Sequence, residues 1–201
     1  MDLVHPYEKL TLSDVGWPLA IYLIAVHAFM LIKADFCKQW LVKLPRHYNA
    51  GVIVMAIAMG WFWLLIAPEQ NNIFPALSSL SRDLAEFNAM KKFLRIAVPL
   101  FAIGMCLYAR EFLFVRGLGL LTLMIAGPLL HGAMFKDEPT RILIPIFAYI
   151  ILTLGLIWVG MPYRFRDMAK WATAENTRWN ILAGSGLAYG IAVLVCTIAF
   201  W

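Results

Sequence analysis

Few side chains within the long apolar segments of this sequence could do chemistry, and two of them are histidines. His27 and His131 fall inside long apolar segments, whereas His5 and His47 fall outside them. A histidine inside a membrane can ligate a haem or a pigment, relay a proton, or form a neutral hydrogen bond across a helix interface. We therefore keep His27 as a candidate cofactor ligand beside its structural interpretation, and the sequence identifies no particular cofactor.

The depths of the two histidines limit the cofactors that they could share. His27 lies twelve residues into the apolar segment 15–32, and His131 lies four residues from the end of the apolar segment 117–135. At 1.5 Å per helical residue, their depths differ by about 12 Å. They cannot be the two axial ligands of one haem, and the four histidines do not form the paired set of a two-haem cytochrome b.

A second group of polar residues lies in the outer halves of three apolar segments, at or near the ends that face away from the inner connections. Arg95, His131 and Arg141 fall in this half, and each of the three segments carries a proline there: Pro99, Pro128 and Pro145. Proline kinks a helix because it cannot donate to the carbonyl four residues earlier. The three cationic residues could rim an outward-facing cavity for an anionic ligand or a lipid headgroup. The alternative is that the prolines are ordinary membrane-helix residues and that Arg95 extends to the interface.

Several catalytic signatures are absent from the sequence. There is no glycine-rich phosphate loop, no HExxH or histidine box, and no paired carboxylate inside an apolar segment. The three cysteines show no CxxC spacing. The predicted spans contain no Asp or Glu, and this weakens the case for a proton- or sodium-driven transporter. We predict no nucleic-acid partner, because the basic residues lie mostly at helix ends.

The composition predicts the elements that must position these residues. Of 201 residues, 62% are hydrophobic and 14% are charged, against about 45–50% and about 25% in soluble domains. We predict an all-α, polytopic membrane helix bundle forming one domain, because a backbone in lipid must satisfy its own hydrogen bonds. Six segments are long enough to cross: 15–32, 50–67, 93–109, 117–135, 142–161 and 181–201.

The basic residues predict the orientation. With the N-terminus outside, the inner connections hold ten Lys and Arg residues and the outer ones six, which favours both termini on the non-cytoplasmic side of a plasma (inner) membrane. Segments 33–44 and 166–174 predict short amphipathic helices lying on the inner leaflet. The connection 110–116 predicts a tight helical hairpin, with a five-span or re-entrant arrangement as the competitor.

Two functional hypotheses follow. The first is a non-catalytic subunit of a larger membrane complex, with lipids and other subunits as partners. An electron-transfer or energy-converting complex is one option within this hypothesis. Its basis is that the helices are apolar on all faces and that Gly184, Ser185, Gly186 and Gly190 suit close helix packing. The second is a small carrier or lipid-headgroup enzyme that uses the cavity around Arg95 and His131.

Overall fold

The protein is all-helical in a computed structural model that describes residues 5–66, 81–82, 85–134 and 136–201. These residues form eight α-helices, with no strand among them. The helices are α1 Leu12–Ile32, α2 Ala34–Lys43, α3 Tyr48–Ile66, α4 Lys91–Tyr108, α5 Leu113–Ala133, α6 Leu143–Gly160, α7 Tyr163–Thr173 and α8 Asn176–Ala199.

The predicted membrane bundle is confirmed at the level of its helices. Among the described residues, five helical segments are long and apolar enough to cross a membrane: α1, α3, α5, α8 and the segment Pro139–Gly160 that contains α6. The predicted span 93–109 coincides with α4, which has 18 residues and three cations, Lys91, Lys92 and Arg95, near its start. Those charges set α4 apart from the other five. The predicted ends at Ala67 and Phe135 lie outside the described residues.

The first helix begins three residues before the predicted boundary because of a capping box. The Thr11 hydroxyl accepts from the Asp14 N–H at 3.1 Å, and the Asp14 carboxylate accepts from the Thr11 N–H at 2.9 Å. These bonds satisfy backbone donors that an α-helix otherwise leaves unpaired at its start. Asp14 therefore lies exposed in the first turn of α1, and the acid-free part of this span begins after it.

The helices alternate in direction, so the molecule has two sides. We call the side holding residues 5–11 and Trp201 the terminal side, and the side holding α2, α7 and the turn 109–112 the basic side. The two short helices are those predicted from the amphipathic segments, and α7 buries Phe165, Ala169 and Ala172. The basic side carries ten Lys and Arg residues against four acidic ones: Asp35, Glu111, Asp167 and Glu175.

Helix α5 lies at the centre of the bundle. It packs closely against α6 and α3 and more lightly against α1, while α8 packs on α1 and α4 packs on α3. The α5–α6 contact depends on two glycines, since a Cβ on Gly119 would lie 2.8 Å from the Gly155 carbonyl oxygen. Close backbone approach of this kind is how membrane helices gain packing energy without a hydrophobic driving force.

The connection between α4 and α5 is short, as the hairpin interpretation requires, but the two helices do not lie tightly side by side. Residues 109–112 join them, and Phe112 adopts a left-handed backbone with φ 58°. Helix α4 leans on α3 instead, and an apolar cleft of about 490 Å³ lies between α3, α4 and α5. The reversal is therefore made by a short turn with an uncommon backbone geometry.

Candidate functional site

His131 lies in a polar cluster on the terminal side. Its Nε2 is 2.7 Å from a terminal guanidinium nitrogen of Arg82, which donates to it. The Arg82 guanidinium also lies 5.9 Å from the centre of the Tyr7 ring, and the Tyr7 hydroxyl accepts from the Trp61 indole N–H at 2.7 Å. We call Tyr7, Trp61, Arg82, Lys91 and His131 the terminal cluster.

A buried lysine holds the short segment that carries Arg82. The Lys91 ammonium donates to the Arg82 carbonyl at 2.7 Å and to the Ser81 hydroxyl at 3.2 Å. The Arg82 N–H donates to the Leu65 carbonyl, near the end of α3, at 2.8 Å. Lys91 is only 8% exposed. Together with the bond to His131, these bonds tie the segment to the end of α3, the start of α4 and the end of α5. They therefore fix the position of the arginine.

The electrostatics of the cluster are visible at Tyr7. Burial raises the pKa of the Tyr7 hydroxyl above its ordinary value, and the Trp61 hydrogen bond and the Arg82 charge offset part of that rise. The group is therefore a neutral phenol that accepts from Trp61. The bond from Arg82 to Nε2 needs that imidazole nitrogen unprotonated. The cluster is thus a set of cations bonded to neutral partners, which can hold an anion or brace the helix ends.

The structure places Arg141 and His131 in different surroundings, and the packing of α4 on α3 places Arg95. The carbonyl of Arg95 accepts from the Trp63 indole N–H at 3.0 Å, and α4 packs against α3. Arg141 donates to the Lys136 carbonyl and lines a separate surface pocket of about 620 Å³. His131 is not among the residues of that pocket. The cation beside His131 is Arg82, which the sequence marked only as a charge in an outer connection.

His27 is packed against a neighbouring helix. Its Nδ1 lies 2.7 Å from the Leu23 carbonyl, one turn back in α1, which assigns the ring proton to that nitrogen. Its Nε2 lies against Gly186 of α8, where any side chain beyond glycine would collide with the ring. The small residue makes room for the imidazole, so the arrangement is that of a histidine filling a helix interface. A metal at Nε2 would compete with α8 for the same space.

The remaining chemistry-bearing side chains do not assemble into a metal site. Within the described ranges, no three His, Cys, Asp or Glu residues come close enough to hold a metal ion. The cysteines are separate free thiols, and burial raises the pKa of the Cys37 thiol. Comparison of the sequence with protein families and with curated proteins, and of the fold with solved structures, finds no match.

Proposed function

We propose that this chain is a non-catalytic subunit of a larger membrane protein complex, with helices of other subunits packed against α8. The observation that carries the proposal is the outward face of α8. Ser185, Ala188 and Ala192 are exposed at spacings of three and four residues, which places them on one face of the helix. Beside them, a Cβ on Gly184 would meet nothing within 4 Å.

Inside this chain, small residues mark the places where helices approach closely. Gly190 on the opposite face of α8 packs against Leu23 and Ile24 of α1. A surface that meets only lipid gains nothing from small side chains, because lipid tails fill large and small surfaces alike. A surface that meets a helix gains close contact from them. The outward small residues of α8 therefore favour a partner helix, and the rest of the apolar surface suits lipid.

The pockets at membrane depth favour a packing role over a carrier. The cleft between α3, α4 and α5 is lined by apolar side chains such as Phe62, Val98 and Leu120. A second cleft, of about 310 Å³, lies between α1, α5 and α6, and Thr122, Tyr22 and the end residue Asp14 are its polar members. A carrier for a polar solute needs polar groups along its path, and neither cleft supplies a row of them.

The proposal places the complex in a plasma (inner) membrane. The electron-transfer option within it requires a chromophore, held by a partner subunit or by this chain. A haem or flavin absorbance in the purified complex would support that option, and a colourless complex would remove it. The electron-transfer option requires that the chain be part of a complex, and the proposal of a complex does not rest on electron transfer.

The test is purification of the tagged full-length chain, produced at its natural level and extracted in a mild detergent. We expect a defined assembly well above the 22.8 kDa of the chain once the bound detergent is subtracted, with partner polypeptides in fixed ratio. Native mass spectrometry gives the ratio. A monodisperse single chain, obtained again in lipid nanodiscs, would contradict the proposal.

A matched pair of variants locates the contact. Ala188→Leu adds bulk to the small-residue face of α8, and Ala56→Leu adds the same bulk to an exposed position of α3. Both variants should fold, because neither residue is buried in the chain. We expect Ala188→Leu to release the partners and Ala56→Leu to retain them. Equal retention in both variants would show that α8 is not the contact.

A further inference from the structure

A basic pocket opens on the basic side, where two turns meet α7. It has a volume of about 680 Å³, and the residues that line it include Arg46, Tyr48, Arg110, Glu111, Phe112 and Arg166. Three arginines and one glutamate therefore line one opening. Arg166 pairs with the neighbouring Asp167 carboxylate at 3.3 Å. Among the ion pairs of the described residues, none joins Glu111 to Arg46 or Arg110.

The guanidinium of Arg110 is held by its neighbours. Its Nε donates to the Leu107 carbonyl at 3.3 Å, and its central carbon lies 5.9 Å from the centre of the Tyr48 ring. The Tyr48 hydroxyl is fixed in turn by donating to the Cys106 carbonyl at 3.1 Å. These contacts use Nε and one face of the plane. The two terminal nitrogens keep their donors for a ligand.

The three segments that carry the arginines share one hydrophobic anchor. Leu44 lies two residues before Arg46, Phe114 follows the turn of Arg110, and Phe165 precedes Arg166. All three side chains are buried in the same cluster. Because one cluster holds all three segments, the backbone positions of the three arginines are set before any ligand arrives. A pre-positioned site loses less entropy on binding than a mobile one.

The backbone of the turn carries an uncommon conformation. Phe112 has φ 58° and ψ 21°, which is the left-handed region. A phenylalanine adopts this region only where surrounding structure holds it, and such positions cluster at functional sites. One helical turn further on, the Nε of Arg116 is buried without a hydrogen-bond partner in the described part of the chain. The chain therefore leaves one cationic donor near the turn without an acceptor among the described residues.

We propose that the basic pocket binds a phosphate group through Arg46, Arg110 and Arg166. Guanidinium groups match phosphate oxygens with paired, charge-assisted hydrogen bonds. The pocket lies on the same side as the amphipathic helices α2 and α7 and within the ten-to-four excess of basic residues. The phosphate can belong to an anionic lipid headgroup or to a soluble phosphate. This inference is independent of the assembly proposed above.

Two measurements on the full-length chain distinguish the sources. In the first, inorganic phosphate is titrated by calorimetry into the protein held in nanodiscs of phosphatidylcholine. In the second, native mass spectrometry follows phosphatidylglycerol retained by the protein after extraction from mixed micelles. Binding in the first measurement alone indicates a soluble phosphate, and binding in the second alone indicates a headgroup. Binding in both indicates a general phosphate site, and binding in neither overturns the proposal.

The variants test whether the pocket itself is responsible. In the measurement that detects binding, Arg110→Gln should lower the affinity about tenfold, and Glu111→Gln should raise it about threefold by removing the opposing charge. Arg164→Gln is the matched control, because Arg164 is exposed on the same side and is not a lining residue. An equal loss in Arg164→Gln and Arg110→Gln would mean diffuse surface attraction and would overturn the proposal.

Discussion

Individual side chains join helices that are far apart in the sequence, and Trp179 does so most completely. Its side chain is 1% exposed, and its indole N–H donates to the Met30 carbonyl at 3.0 Å. The ammonium of Lys38 lies 5.7 Å from its ring centre and donates to the Asn176 amide oxygen. One residue at the start of α8 therefore fixes the end of α1 and the position of α2.

Replacement of Trp179 should separate packing from hydrogen bonding. Trp179→Ala should lower the free energy of unfolding by about 3–5 kcal/mol, because it leaves a large cavity. Trp179→Phe keeps most of the volume and loses the bond to Met30, so its cost should be about 1 kcal/mol. Titration with a denaturing detergent, followed by far-UV circular dichroism, measures both. Equal losses in the two variants would contradict this division.

At the scale of elements, glycine positions decide which helices meet. Gly119 and Gly155 bring α5 and α6 into backbone contact, and Gly186 and Gly190 let α8 approach α1. The sequence predicted close packing for Gly184, Ser185, Gly186 and Gly190 as one set. The structure divides that set between two faces of α8, because residues two apart on a helix point in different directions. Gly186 and Gly190 face α1, and Ser185 faces outward.

The same substitution at two glycines should have opposite effects. In Gly155→Ala the new Cβ would lie 2.5 Å from the Thr122 hydroxyl oxygen and 2.9 Å from the Gly119 carbonyl oxygen. We therefore expect the free energy of unfolding to fall by about 1–3 kcal/mol. In Gly104→Ala the new Cβ meets nothing within 4 Å. We expect the free energy of unfolding to rise by about 0.5 kcal/mol, because alanine lowers the conformational entropy of the unfolded chain. Thermal unfolding in detergent compares them. A loss in Gly104→Ala would contradict the open environment assigned to that residue.

At the scale of the whole molecule, the chain covers little of its own apolar surface. Between 17% and 39% of the residues in the most apolar stretch of each spanning helix are buried by the rest of the chain. The remaining faces need lipid or other helices as their solvent. The charges are divided unevenly as well, since ten basic residues lie on the basic side. That asymmetry predicts a cytoplasmic basic side.

Reporter fusions test this orientation. Green fluorescent protein fused after Trp201 should remain dark in a bacterial host, and alkaline phosphatase at the same position should be active, because that terminus is predicted outside. A fluorescent protein inserted in the turn 109–112 serves as the control and should fluoresce. A fluorescent C-terminal fusion, together with inactive phosphatase, would reverse the predicted topology.

The sequence by itself determined the membrane class, the places of the helices and the short interfacial elements. Those features follow from local composition: a long apolar run must be helical in lipid whatever its neighbours are. The apolar run begins three residues after the start of α1, because Thr11 and Asp14 cap a first turn that is polar in composition. The depth difference between His27 and His131 also followed from counting alone.

Only the tertiary structure decided which polar groups meet. Arg82 is 49 positions from its partner His131, and Arg46, Arg110 and Arg166 come from three separate segments. Contacts of this kind depend on which helices pack together, and apolar helices without distinctive faces give no periodic signal for that choice. The pairing of α4 with α3 places the carbonyl of Arg95 on the indole of Trp63, a contact that the sequence did not predict. Packing between helices, at glycine contacts such as Gly119–Gly155 and at the apolar cluster of Leu44, Phe114 and Phe165, set the sites of this protein.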